Sequence, residues 1–146
     1  VFYYLRYKRA PNIASEEIVM QNSAGQQVNL SDELSGNTVV HFYATWCGPC
    51  MAEMRTIKSH YAALSAKGLQ FIFITDDTAD KISRVQADMP QGIRFYHIPS
   101  LKEVDIYSIP TTYFFNANKH ITEKHLGGFA WTDEAEVDKL LAAMNR

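Results

Sequence analysis

The sequence predicts an α/β domain built on a mixed central sheet flanked by helices. Three observations carry this. Residues 38–44 (TVVHFYA) and 69–75 (LQFIFIT) are β-branched and aromatic runs that read as buried strands. Between them lies a helical apolar stripe, and after residue 110 come a strand, a turn, a strand and a last helix.

The elements follow in order. Residues 16–22 and 26–30 flank Ser23-Ala24-Gly25 and read as a hairpin with Gly25 in its turn. Gly36 and Asn37 bound the first buried strand. From Pro49 the apolar spacing becomes helical: Cys50, Met54, Ile57, Tyr61 and Leu64 form one stripe, with Gly68 just past the end as a stop. Residues 76–89 are helical in tendency and end at Pro90, and residues 93–98 suit a short strand. Residues 110–116 (PTTYFFN) make a firmer one, joined through Asn-Ala-Asn-Lys to residues 120–126 as a second hairpin. Thr132 and Asp133 are candidate caps for a final helix through Met144, with Ala135, Val137, Leu140, Leu141 and Met144 on its apolar side.

A chain of 146 residues with 47% hydrophobic content suits one core, and residues 10–146 are expected to form one domain. The net charge of −2 with scattered basic residues gives no footprint for nucleic acid. No apolar run is long enough to span a bilayer. Residues 1–9 (VFYYLRYKR) differ from the rest. Aromatics followed by Arg6, Lys8 and Arg9 suit either the juxtamembrane flank of an anchor or a disordered terminal arm. As a flank, the basic cluster would lie on the cytoplasmic side, which argues mildly against an extracytoplasmic domain. The chain begins at Val1 rather than Met, so an upstream segment is expected.

Both cysteines lie in residues 44–53 (ATWCGPCMAE), where a strand ends and a helix starts. There, free backbone N–H groups and the positive end of the helix dipole stabilise a thiolate. Lowering a thiol from about 8.5 to about 7 requires roughly 2 kcal/mol. The dipole offers about 0.3–1 kcal/mol at an exposed site and ~2 when partly buried. The remainder can come from the Cys50 thiol, hydrogen-bonded to the Cys47 sulfur. Pro49 fits the first helical turn, and Gly48 leaves room beside the sulfur for another protein's backbone. Cys47 is therefore the expected nucleophile and Cys50 the resolving thiol. A zinc site needs about four ligands, and no second cysteine pair exists. Among His41, His60, His97, His120 and His125, only the last two are suitably spaced, and on a strand they face opposite ways. No metal is expected, and the redox-active Cys47–Cys50 pair takes the place of a cofactor.

The WCGPC run in this strand–helix setting resembles the active-site motif of the thioredoxin superfamily, and the resemblance covers residues 10–144. Residues 10–13 (APNI), 25–32 (GQQVNLSD) and 38–54 resemble the opening of its TlpA/ResA branch of thiol–disulfide oxidoreductases. That resemblance implies a thioredoxin-like fold with an N-terminal β-hairpin extension and a helical insertion between Asp76 and Ile109.

It also implies roles for further residues. Pro110, in SIPTTYF, is similar to the cis-proline that packs against the cysteines in that family and leaves the backbone of Ile109 free to pair with an extended client. An ordinary trans proline at a strand's first residue is the alternative. Trp46 resembles the aromatic flanking the active site, and Gly127 the small residue that admits client backbone. Trp46, Gly48, Pro49, Ile109, Pro110, Thr111 and Gly127 are thus candidate client-binding positions.

Glu53 stands one helical turn after Cys50, about 60° off the centre of the apolar stripe. In the TlpA/ResA branch a glutamate here is proposed to govern cysteine protonation. A partly buried carboxyl has a raised pKa and can exchange a proton with Cys50, whereas a solvated carboxylate beside Arg55 or Lys58 would be inert. His41 departs from the family: it lies where thioredoxin carries a buried acid. It is either a proton acceptor or a satisfied core residue. Which of the two handles the proton stays open from sequence alone.

The resemblance implies an enzyme, a protein disulfide reductase. Gly-Pro between the cysteines matches the reducing relatives, while a dithiol oxidase or isomerase remains an alternative. Cytochrome c maturation and extracytoplasmic redox homeostasis are the implied settings, in a periplasmic or outward-facing protein, either free or membrane-anchored. A cytoplasmic location is the alternative. The expected partners are protein disulfides and an upstream thiol donor, with the chain a monomer. A thiol peroxidase would need a P-x-x-x-T-x-x-C site and a copper carrier C-x-x-x-C, and neither pattern occurs. A non-catalytic module with a vestigial dithiol is the remaining alternative.

Overall fold

A computed structural model describes residues 10–146. The arm expected over residues 1–9 lies outside the described residues. Among the described residues, seven strands form one mixed sheet: β1 (Val19–Gln21), β2 (Gln27–Asn29), β3 (Thr38–Phe42), β4 (Gln70–Thr75), β5 (Arg94–His97), β6 (Thr111–Phe115) and β7 (Ile121–Leu126), in the order β2-β1-β5-β4-β3-β6-β7. Strands β3, β4 and β5 are parallel, and the remaining pairings are antiparallel. The helices are α1 (Leu30–Glu33), α2 (Gly48–Ala66), α3 (Ala79–Ala87) and α4 (Glu134–Met144).

The central strand explains its own sequence. All five residues of β3 are buried, as a strand covered on both faces requires, so it reads as a continuous apolar run interrupted by His41. One face carries Val39, Tyr43, Phe71, Phe73, Phe95 and Phe114 against Cys50, Met54, Ile57 and Leu64 of α2, Val137 and Leu140 of α4, and Ile82 of α3. Val40, Phe42, Ile72, Ile74, Tyr113 and Phe115 on the other face pack against Met20, Leu30, Leu34 and Ile106. Residues paired across a ladder share a face, so His41 stands in one row with Phe73 and Thr112 on the α2 side.

Three expectations need correction. The first hairpin strand begins only at Val19, because Ser15–Glu17 is a 3-10 turn. Its partner ends at Asn29, because the Asn29 side chain accepts the Ser31 N–H at 3.1 Å and turns the chain into α1 at Leu30. The helix expected from Asp76 starts at Ala79 under a Thr78 cap. The Asp76 and Asp77 carboxylates are engaged elsewhere, accepting the backbone N–H groups of Leu101 and Thr45. The region between Asp76 and Ile109 holds α3, β5 and a 3-10 turn at Leu101–Val104.

Candidate active site

The site is assembled where β3 runs into α2. Tyr43 continues the ladder by donating its N–H to Ile74 O, and Thr45 N–H is taken up by Asp77 Oδ2 at 2.8 Å. The chain then turns through exposed Trp46, whose relative exposure is 74%. Cys47 becomes the N-cap of α2, and its sulfur accepts the Cys50 N–H at 3.2 Å. That bond occupies one of the free N–H groups at the helix start, the environment that favours a thiolate.

The two cysteines are joined as a disulfide, with Cα atoms 5.3 Å apart. Cys50 is fully buried and Cys47 is 6% exposed, so the outer sulfur is the one open to attack. Gly48 and Pro49 are exposed beside it, and a Cβ at Gly48 would meet nothing within 4 Å. Backbone from another chain therefore has room there.

Opposite Cys47 lies the start of β6. The Ile109–Pro110 peptide bond is cis, and Ile109 O lies 3.8 Å from Cys47 Sγ. On reduction, the Cys47 thiol has this carbonyl as an acceptor. Thr111 is buried, its hydroxyl donates to Ser108 O, and it is paired with Phe42 on one side and Leu126 on the other, so it lies within the sheet rather than on the surface beside the sulfur. Gly127 donates its N–H to Pro110 O at 2.8 Å. Its φ of +85° favours glycine there whatever approaches it.

Beneath the dithiol, Glu53 and His41 meet. Glu53 Oε1 lies 3.0 Å from His41 Nε2, with Glu53 6% exposed and His41 fully buried. Oε2 accepts the Phe129 N–H at 3.1 Å and the Trp131 indole N–H at 2.8 Å. Burial pushes the Glu53 carboxyl above its ordinary range, opposed by the Phe129 and Trp131 hydrogen bonds and by the nearby His125. Burial drives His41 the other way, down to about 3. Burial thus disfavours both charged forms, so the contact is a hydrogen bond between a histidine held neutral and a carboxyl of raised pKa rather than a pair of opposite charges. His41 Nδ1, Tyr43 OH and Thr112 Oγ1 are buried without hydrogen-bond partners among the described residues. Burial and the charge of Asp77 raise the Tyr43 phenol.

The structure therefore brings Trp46, Cys47, Gly48, Pro49, Ile109, Pro110 and Gly127 to one end of the sheet around the disulfide, with Cys50 sealed beneath it and Thr111 buried in β6, and it joins His41 to Glu53 below. Sequence reasoning missed Asp77, Phe129 and Trp131. A signal existed for two of them. Two adjacent aspartates follow a buried strand, and a tryptophan buried in the core must find an acceptor for its N–H. Among the described residues, no cluster of His, Cys, Asp or Glu is arranged to hold a metal, and no helix is long and apolar enough to cross a membrane.

A buried and a near-surface cysteine at disulfide distance on a helix N-terminus can cycle between dithiol and disulfide, and the known proteins this chain resembles carry names of that chemistry. The Redoxin family model matches residues 7–141. Thiol-disulfide oxidoreductase ResA of Oceanobacillus iheyensis is 34% identical over 102 residues, 66% of this chain and 52% of that protein. The chain thus spans about half the length of that curated relative. Sporulation thiol-disulfide oxidoreductase A of Bacillus subtilis is 22% identical over 129 residues, 80% of this chain and 78% of that protein. The crystal structure of a thiol:disulfide interchange protein DsbE from Chlorobium tepidum superposes with a TM-score of 0.70 at 22% identity, covering 92% of this chain and 99% of that one. This likeness shows a thioredoxin-like fold. The chain belongs to the Redoxin family, as a TlpA/ResA-like member of the thioredoxin superfamily.

Proposed function

We propose that this chain is a protein thiol–disulfide oxidoreductase working as a reductase of protein disulfides. The observation that carries the reading is the asymmetry of the dithiol: Cys47 caps α2 and accepts the Cys50 N–H, while Cys50 is sealed beneath it. In the reduced form the Cys47 thiolate attacks one sulfur of a client disulfide. A mixed disulfide forms, and the departing client sulfur takes up a proton. Cys50, deprotonated, then attacks Cys47 Sγ, forming the Cys47–Cys50 disulfide and releasing the second client thiol. The client gains two electrons and two protons, the dithiol loses both, and an external thiol donor restores it.

The client's extended backbone lies along Ile109 and Pro110, with Trp46, Gly48, Pro49 and Gly127 around it. Glu53 and His41 act together as the acceptor for the Cys50 proton, because the sulfur, carboxyl and imidazole occupy one buried region where charge is costly. The names of the ResA and DsbE relatives support a setting in thiol-disulfide interchange. The TlpA/ResA resemblance extends this to an extracytoplasmic, anchored protein serving redox homeostasis or cytochrome c maturation, with a monomeric catalytic domain.

The test is the reduction potential of the Cys47–Cys50 couple in graded redox buffers, with trapping by Cys50→Ser. A reductase should lie near about −270 mV and trap clients through Cys47, whereas about −120 mV would make it a dithiol oxidase. No reversible couple and no trapped species would remove the enzyme reading.

A further inference from the structure

The segment after β7 returns over α2 and puts two donors on one oxygen. Phe129 N–H and the Trp131 indole N–H both point at Glu53 Oε2, at 3.1 and 2.8 Å. Trp131 is 3% exposed and wedged among Phe71, Phe114 and Phe129, with ring centroids 5.6, 6.0 and 4.7 Å away. Its indole therefore has little freedom to turn away.

An oxygen that accepts two N–H donors is the carboxylate-like end of a carboxyl group, since adding a proton there would set O–H against N–H. The other oxygen, Oε1, faces His41 Nε2, which can accept or return a proton. We propose that Trp131 is a positioning residue for dithiol exchange: its indole N–H holds Glu53 Oε2 as an acceptor and so directs the exchangeable proton to Oε1, between Glu53 and His41. This rests on the reading of Glu53 as part of the proton acceptor for Cys50. The titratable groups around Glu53 are His41 from β3, His125 from β7, and Cys50 one turn back on its own helix, with Cys47 at that helix's N-cap. His125 is half-buried at the rim, with Nε2 3.1 Å from Gly128 O and its ring on Phe129. Trp131 itself does not titrate, so a pH effect of replacing it must act through Glu53.

The experiment compares the pH profile of cysteine alkylation in the reduced full chain for wild type, Glu53→Gln and Trp131→Phe. The last keeps an aromatic ring among its neighbours and deletes the donor together with part of the ring system, so its melting temperature is read alongside the profile. Glu53→Gln should abolish the Glu53-dependent inflection. Trp131→Phe should keep it and move it upward by about one pH unit, the tenfold loss of acidity expected when a carboxylate loses one good donor. A purely structural role would lower the melting temperature of Trp131→Phe and leave the inflection in place, which overturns the proposal while the Glu53 reading stands. An unchanged profile in Glu53→Gln overturns both. Should Trp131→Phe fail to fold, the indole N–H resonance of Trp131 in wild type decides. It should move with pH at the midpoint of the alkylation inflection and cease to do so in Glu53→Gln, whereas a pH-invariant resonance overturns the proposal.

Discussion

Oε1 of Glu53 and Nε2 of His41 stand 3.0 Å apart in the core under the Cys47–Cys50 disulfide, which makes one titrating unit of two side chains 12 residues apart. Neither group can change its protonation without altering the other, so the question of which handles the proton becomes one about the pair. The pair also has a consequence for stability.

His41 is held neutral in the fold, down to about 3, while an unfolded histidine titrates at about 6.5. Between those values the unfolded chain binds more protons, so His41's contribution is present above about 6.5 and is lost as pH falls toward 3. Glu53 has the opposite sign. Its folded pKa is raised, so its contribution is full below the ordinary carboxyl value and lost as pH rises through the raised one. The two oppose each other in mildly acidic solution, and below the ordinary carboxyl range His41 acts alone. Urea unfolding of the oxidised chain should therefore show stability falling toward acid, with His41 adding at most about 1.4 kcal/mol per pH unit. In His41→Asn that slope should flatten, even though the smaller side chain lowers stability throughout. Parallel pH curves for the two proteins would contradict this account.

Asp77 governs the approach to Cys47. Its Oδ2 accepts the Thr45 N–H at 2.8 Å, and its own N–H is held by Thr75 Oγ1 at 3.2 Å, which fixes the turn two residues before Cys47. Asp77→Ala leaves the Thr45 amide without its acceptor and should cost about 1–3 kcal/mol. Asp77→Asn keeps an oxygen there and should recover most of the loss. Thermal unfolding measures the cost. Alkylation of Cys47 in the reduced form should be altered in the alanine variant alone.

Much of the fold was legible because it rests on local patterns: the continuous apolar run of β3, the Cys50–Leu64 stripe of α2, the Asp133 cap of α4. The dithiol was legible for the same reason, since motif, strand and helix are contiguous. What sequence spacing could not give is contact across the sheet. The 60° offset of Glu53 placed it at the edge of the core, yet the return of Phe129 and Trp131 closes over it and buries it. Asp76 and Asp77 read as the start of a helix because local propensity cannot reveal that their carboxylates bind the amides of Leu101 and Thr45.

Gly92 tests the packing between α2 and the chain entering β5. A Cβ there would fall well inside van der Waals contact of the Tyr61 hydroxyl and 3.0 Å from Tyr61 Cζ. Gly92→Ala should destabilise by about 1–3 kcal/mol through overpacking. Tyr61→Phe removes the atom met first, so the double variant should lose less than the sum of the singles. A cycle by denaturant unfolding reads this coupling, and strict additivity would mean that Tyr61 simply swings aside.

Trp46 separates stability from recognition. At 74% exposure its ring buries little in the folded chain, so Trp46→Ala should change stability by no more than about 0.5 kcal/mol. Trp46 immediately precedes Cys47, so under the proposed reading a protein client that reaches the Cys47 sulfur covers this ring. Removing a large aromatic from the centre of such a contact costs about 2 kcal/mol, roughly a thirtyfold loss. That loss should appear in kcat/KM for a protein disulfide and hardly at all for a small aromatic disulfide reagent, which needs only the sulfur. Equal losses for both substrates would mean that Trp46 tunes Cys47 itself rather than the docking of clients.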